Sequence, residues 1–364
     1  MRKFKIISIF ITLSLIIGVC GGVLSRYALA SINVSSIISH AIPTININTT
    51  YKPWTLQEYA KAIIGFAIAP EGILSTQFGM LPTEFTIAHA QPEPTPTPLP
   101  EESKPVISLD MSPTSSEGYL NAGGVFVKNA TTYTPDVSAL LNSSFEWDIK
   151  ADGPKVLITH SHSSESYKAT AENFYYPSDP DRTQDPRYNV MRVGEVMTKT
   201  LNNMGIETIQ DRVIHDYPEY NKSYKNDLAT INKILADNPS IKVVIDVHRD
   251  SMQRSDGTRI KNVIDIDGKK TAQIMLVTGT DQMGLDAPNW QSSLQFAMKL
   301  QQQMNEMYPK LTRSIDLRQE RFNTHVTLAS IIMEVGSSAN TLEEAEAGGV
   351  LAANALGELL NKMK

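Results

Sequence analysis

Three regimes of hydrophobic patterning follow one another along the chain. Residues 6–24, IISIFITLSLIIGVCGGVL, carry no charge and follow the basic start MRKFK. A run of that length is near the roughly 20 residues needed to cross a bilayer, and flanking basic residues stay on the cytoplasmic side. The pattern therefore predicts a cytoplasmic start at residues 1–5 and a single-pass anchor at 6–24. A cleaved signal peptide is the rival, because Ala28 and Ala30 form a small-x-small site, but the apolar core exceeds the usual ~7–15 residues. Both readings export the rest of the chain.

The second regime is mixed. Residues 31–90 hold one amphipathic stretch, YAKAIIGFAIA, opened by Thr55 and Glu58 at capping-box spacing, and the sequence assigns it no chemistry. Residues 91–105, QPEPTPTPLPEESKP, are too proline-rich for a helix or a central strand and read as an extended linker.

In the third regime, residues 106–364, short β-branched runs alternate with helical periodicity from Lys155 onward. That alternation predicts an α/β fold with a mostly parallel or mixed twisted sheet flanked by helices. The expected strands are KVLIT, IETIQ, IKVVIDV and TLASIIMEV. The expected helices run through NVMRVGEVMTKTLNNM, LATINKILADN and Asn289 to Tyr308, with a last one opened by Thr341 and Glu344 as a capping box. Residues 259–279 read as a hairpin turning at Asp267 and Gly268, added at an edge.

Composition narrows the chemistry. Lys and Arg number 33 against 39 Asp and Glu, a net charge of −6, so nothing marks a nucleic-acid binder. The single cysteine, Cys20, lies in the first apolar run. No intrachain disulfide can form, and any metal must be held by His, Asp or Glu.

Three expected strands end in ionisable residues: VLIT in His160, His162 and Glu165; VVIDV in His248, Arg249 and Asp250; ASIIME in Glu334. In open α/β sheets the ligand site lies at the carboxyl ends of strands, so these groups are expected to converge. A catalytic zinc needs about three protein ligands and a nearby carboxylate to take a proton from water, and this inventory supplies both. Glu334, behind the apolar IIM, is the expected general base, with partnership to the final helix as its structural alternative. Arg249 or His160 is expected to steady an oxyanion. A serine hydrolase is disfavoured because no G-x-S-x-G elbow occurs.

The segments VLITHSHSSESY, VGEVMTKTLNNMGIETI, HDYPEYNKSY, IKVVIDVHRDS and IIMEVGSSANTLEEA, in this order, resemble the stage II sporulation protein P family over roughly residues 105–364. The resemblance implies a divergent zinc-dependent N-acetylmuramoyl-L-alanine amidase with a second, endopeptidase activity. It also implies action on septal peptidoglycan during engulfment, from the membrane into the space of the sporulation septum, beside sporulation proteins D and M. By the same resemblance His162, rather than His160, and His248 hold zinc, and Glu334 is the catalytic glutamate. The carboxylate ligand is Glu165, with Glu172 as its rival. FNTHVT stands where the family pattern has YNQDL, which leaves His325 either a local substitution or a substrate contact. A noncatalytic wall-binding scaffold is the alternative from another functional class.

Overall fold

The structure, a computed structural model, describes residues 99–363. The expected anchor, the 31–90 region with its Thr55-capped helix, and most of the proline-rich linker lie outside the described residues. Among the described residues no helix is long and apolar enough to cross a membrane.

The elements, numbered in chain order, begin with β1 (Lys104–Leu109), β2 (Leu120–Ala122), β3 (Val125–Asn129), α1 (Val137–Asn142), β4 (Val156–Thr159) and β5 (Phe174–Tyr175). Next come α2 (Val190–Asn203), β6 (Thr208–Gln210), α3 (Ser223–Asp237), β7 (Val243–Asp250), β8 (Arg259–Ile266) and β9 (Lys269–Ala272). The chain closes with β10 (Ile274–Thr278), α4 (Trp290–Met307), β11 (Ile315–Leu317), β12 (Ala329–Ser337) and α5 (Leu342–Asn361). Because β1 starts at Lys104, the last two residues of the 91–105 stretch belong to a strand rather than to the linker, with Pro105 opposite Phe174.

The main sheet has eight strands in the order β2-β3-β11-β10-β12-β7-β4-β6. Strands β6, β4, β7 and β12 are parallel, whereas β10 runs antiparallel to β12, so the sheet is mixed. Every residue of β7 and β12 is buried, as expected for central strands covered on both faces. Alternation sorts their side chains. Val156, Ile158, Val243, Ile245 and Val247 join the larger core with residues of α2, α4 and α5. Leu157 and Val244 face Ile231 of α3 instead.

The expected hairpin at 259–279 forms only in part. β8 and β9 pair antiparallel around Asp267 and Gly268, whose positive φ values of 53° and 78° make the tight turn. The second run then divides at Gln273: β9 stays in a four-stranded sheet ordered β5-β1-β8-β9, while β10 enters the interior of the main sheet. Buried Gln273 makes the hinge, its side chain bonding Met111 N and Lys310 O. α5 carries the expected capping box between Thr341 and Glu344. Glu344 also pairs with buried Lys261 of β8 at 2.8 Å, tying the small sheet to the helix start.

Candidate metal centre

The carboxyl ends of β4, β7 and β12 bring the predicted residues together. β7 and β12 are in register, with Glu334 directly beside His248 and Ile332 beside Asp246. Paired residues of parallel strands project to the same face, here the face covered by α3. Immediately after Glu334 the register shifts, so that Ser337 opposes Asp250. Gly336 in this bulge has φ +70°, a conformation costly for any other residue. Such a bulge ends regular pairing and re-aims neighbouring side chains.

His248 is buried, and its Nε2 lies 2.9 Å from Asp246 Oδ1 and 2.8 Å from Ser161 Oγ. Asp246 stands two residues earlier on the same strand face, so the pair follows from strand period alone. With Nε2 occupied, Nδ1 is the nitrogen left to face Glu165, whose Oε2 is 3.5 Å away. His162 lies in the turn after β4, and its ring centroid is 5.2 Å from that of His248. Its Nδ1 is buried with no hydrogen-bond partner, as is Oε2 of Glu334. Buried polar atoms without partners are costly and call for a ligand.

Buried carboxylates dominate the electrostatics around His248. Burial pushes the Glu334 carboxyl up to about 8. Burial would also raise Glu165, but the charges of Arg249, His248, His162 and Arg182 outweigh it and hold the carboxyl below its ordinary value. Burial pulls His162 down to about 4. It acts the same way on His248, where Asp246, Glu165 and Glu334 overcome it and raise the imidazole to about 10. Three carboxylates around one imidazole make a field that a divalent cation satisfies better than a proton.

Two imidazoles with an available Nδ1, one buried carboxylate, and a carboxylate on its bound imidazole fit the donor set and outer support of a catalytic zinc. Among the described residues it is a different group, Asp211, His215 and Asp227, whose potential ligand atoms all lie within 4.8 Å of one another; those of His162, Glu165 and His248 are spread more widely. The atoms of Asp211, His215 and Asp227 already have partners. His215 Nε2 lies 2.6 Å from Asp211 Oδ2, and Asp227 accepts from Thr159 Oγ1 and Asn323 Nδ2. That cluster is closed internally by a histidine, whereas the one around His162 has free atoms.

Glu172 is half exposed and pairs with Lys168 at 3.6 Å, so the structure places Glu165, not Glu172, beside His248. The expected oxyanion roles find no support in the surroundings of His160 and Arg249. Alternation sends His160 to the opposite face from Thr159, where its Nδ1 donates to Val247 O and its Nε2 accepts from Gln210 Nε2. It sits beneath Gly194 of α2, where an added Cβ would be 2.5 Å from its Nε2. The Arg249 guanidinium donates to Ser166 O and Asp181 O, and its backbone N donates to Glu165 Oε2. It shapes the Glu165 turn from behind. His325 is half-buried with an unpartnered Nδ1, and no bond or ring contact joins it to this cluster.

Sequence reasoning passed over Asp246, Tyr220, Tyr224 and Arg182. Tyr220 stacks on His162 at 4.6 Å and 8°, and Tyr224 meets the same ring edge-on at 5.2 Å. A charged residue in the otherwise apolar VVIDV run was the available signal for Asp246. The tyrosines stand four apart, the spacing of one helix face.

A family model described as stage II sporulation protein P matches residues 69–357. The protein of that name from Bacillus subtilis (strain 168) is 27% identical over 223 residues, covering 58% of this chain and 51% of the relative. The match thus spans about half the relative's length. Among solved structures, the chain is similar to the N-acetylmuramoyl-L-alanine amidase AmiC2 of Nostoc punctiforme, with 10% identity, TM-score 0.34, and coverage of 58% of this chain and 98% of that one. It is also similar to an N-acetylmuramoyl-L-alanine amidase from Clostridium difficile 630, with 15% identity, TM-score 0.34, and coverage of 57% and 96%.

Proposed function

The chain belongs to the stage II sporulation protein P family, and we propose that it is a peptidoglycan hydrolase acting as a zinc-dependent N-acetylmuramoyl-L-alanine amidase, with endopeptidase cleavage of cross-linked stems as a second activity. The observation that carries this reading is the buried, unpartnered Oε2 of Glu334 directly beside His248. His162 and His248, each through Nδ1, and Glu165 would hold the metal. When bound, zinc polarises the scissile carbonyl and brings the pKa of an attacking water toward ~7.

The protein's own groups account for the remaining work. Asp246 Oδ1 keeps the Nε2 proton of His248 in place, which leaves Nδ1 as the donor atom. Glu334 Oε2 takes the proton of the attacking water and returns it to the leaving amine. Its raised pKa in the metal-free site moves back toward neutrality beside a cation, because opposite charge favours the carboxylate. The buried apolar Ile332, two residues earlier on the same strand face, limits the water that competes for this oxygen.

The setting is part of the proposal: a membrane-anchored, extracytoplasmic enzyme of the sporulation septum, working with sporulation proteins D and M during engulfment. A noncatalytic scaffold has no need of an unpartnered buried carboxylate. Purified peptidoglycan incubated with the chain should release stem peptides, lose that release on chelation and regain it with zinc. Binding without release under all these conditions would leave the scaffold reading.

A further inference from the structure

Asp246 orients His248 through Nε2, whereas the partner of His162 Nε2 is the Tyr220 hydroxyl at 3.3 Å. What fixes that ring comes from the polar excursion between Glu165 and α2, which returns alongside the ligand turn. Thr183 N donates to Ser164 O at 2.8 Å and Ser166 N to Asp181 O at 3.1 Å, an antiparallel bridge that sets Arg182 opposite Glu165. Opposed residues of such a bridge project to the same side. The Arg182 guanidinium accordingly lies 3.7 Å from Glu165 Oε1 and 2.9 Å from Asp216 Oδ2. Its Cζ lies 4.5 Å from the Tyr220 ring centroid, and His162 stacks on the same ring at 4.6 Å. Tyr220 thus links Arg182 to His162.

We infer that Arg182 and Tyr220 are positioning residues that hold two of the expected ligands, His162 and Glu165, in the orientation zinc requires. The inference rests on the zinc reading above. A planar guanidinium both stacks on an aromatic face and forks to carboxylates, which an ammonium cannot do. Asp216 has 0% of its side chain exposed and depends on Arg182 for its countercharge, so Arg182 cannot be neutralised without a second effect. Arg182→Lys keeps the charge at Asp216 and removes the flat stack. Tyr220→Phe keeps the stack and removes the hydroxyl, and Tyr220→Leu removes the stack.

The test measures zinc affinity of the full 364-residue chain by competition with a chromogenic chelator, together with the thermal midpoint of the zinc-free protein. Tyr220→Leu and Arg182→Lys should weaken zinc binding by about 10–100-fold, the usual effect of losing an outer-shell support. The zinc-free midpoint should not change, and Tyr220→Phe, which keeps the stack but loses the 3.3 Å contact of the hydroxyl with His162 Nε2, should weaken zinc binding less than Tyr220→Leu does. Arg187→Lys, on the same excursion but bonded to exposed Asp185, should also bind normally. Unchanged affinity in both stack-breaking variants overturns the inference while leaving the zinc reading intact. A fall in midpoint that matches the fall in affinity overturns it in favour of a purely structural role. An unmodified chain that binds no zinc removes the functional reading and this inference with it.

Discussion

Glu334 and His248 are paired in register on adjoining parallel strands, so a carboxylate and an imidazole emerge side by side from the same face of the sheet. Burial keeps the carboxyl protonated up to about pH 8 in the metal-free protein. Replacing Glu334 with glutamine preserves size and one carbonyl oxygen but removes the basic one. Release of stem peptides from peptidoglycan should fall by ~10²–10⁴-fold, the typical worth of a general base. Bound zinc and the thermal midpoint should remain. Loss of zinc would make Glu334 a ligand, and full activity would end the assignment.

Glu165 and Glu172 are separated by their surroundings. Glu165→Gln should lose zinc in a metal analysis, because one of about three ligands is gone. Glu172→Gln should keep both zinc and activity, since its carboxylate faces solvent and Lys168. Asp246→Asn should lie between them, with zinc binding about 10–100-fold weaker through the loss of outer support to His248.

Gly194 tests whether His160 is a packing residue. A methyl group there would meet His160 Nε2 at 2.5 Å and Gln210 Nε2 at 2.7 Å. Gly194→Ala should therefore lower stability by about 1–3 kcal/mol, the usual cost of overpacking a close contact, as read in chemical denaturation. A neutral result would show that this layer yields easily and would weaken the structural assignment of His160.

Asp227 gives a pH dependence of its own. Burial, with the charge of Asp246 next, raises its carboxyl from 3.8 to about 7. A folded-state pKa above the unfolded one favours folding at low pH, and the contribution is lost as pH rises from about 4 through about 7. His215, whose pKa is also raised, acts with the same sign. The zinc-free thermal midpoint of the unmodified chain, measured against that of Asp227→Asn, should therefore fall as pH rises through 7. A difference between the two that does not vary with pH in this window would contradict the assignment.

Period alone carried much of this protein. The apolar runs before His160, His248 and Glu334 were legible as buried strands because a chain covered on both faces has few polar positions. The capping box of Thr341 and Glu344 was equally legible, since it is satisfied within four residues. The same strand logic brought His248 and Glu334 to one end of the sheet.

What lay beyond sequence was everything set by which face, which neighbour and which partner. Residues two apart on a strand share a face, so His160 and His162 part only because β4 ends at Thr159 and His162 lies in the turn beyond it. Gln273 could be seen as a break only once β9 and β10 had chosen different sheets. Arg182 and Tyr220 stand 20 and 58 residues from His162 in the chain, and only packing stacks them against it. Local patterns specify dihedrals and faces, because their causes act within a few residues. The candidate cation site is long-range, because its charges come from two strands and two loops that share nothing in sequence except the sheet that gathers them.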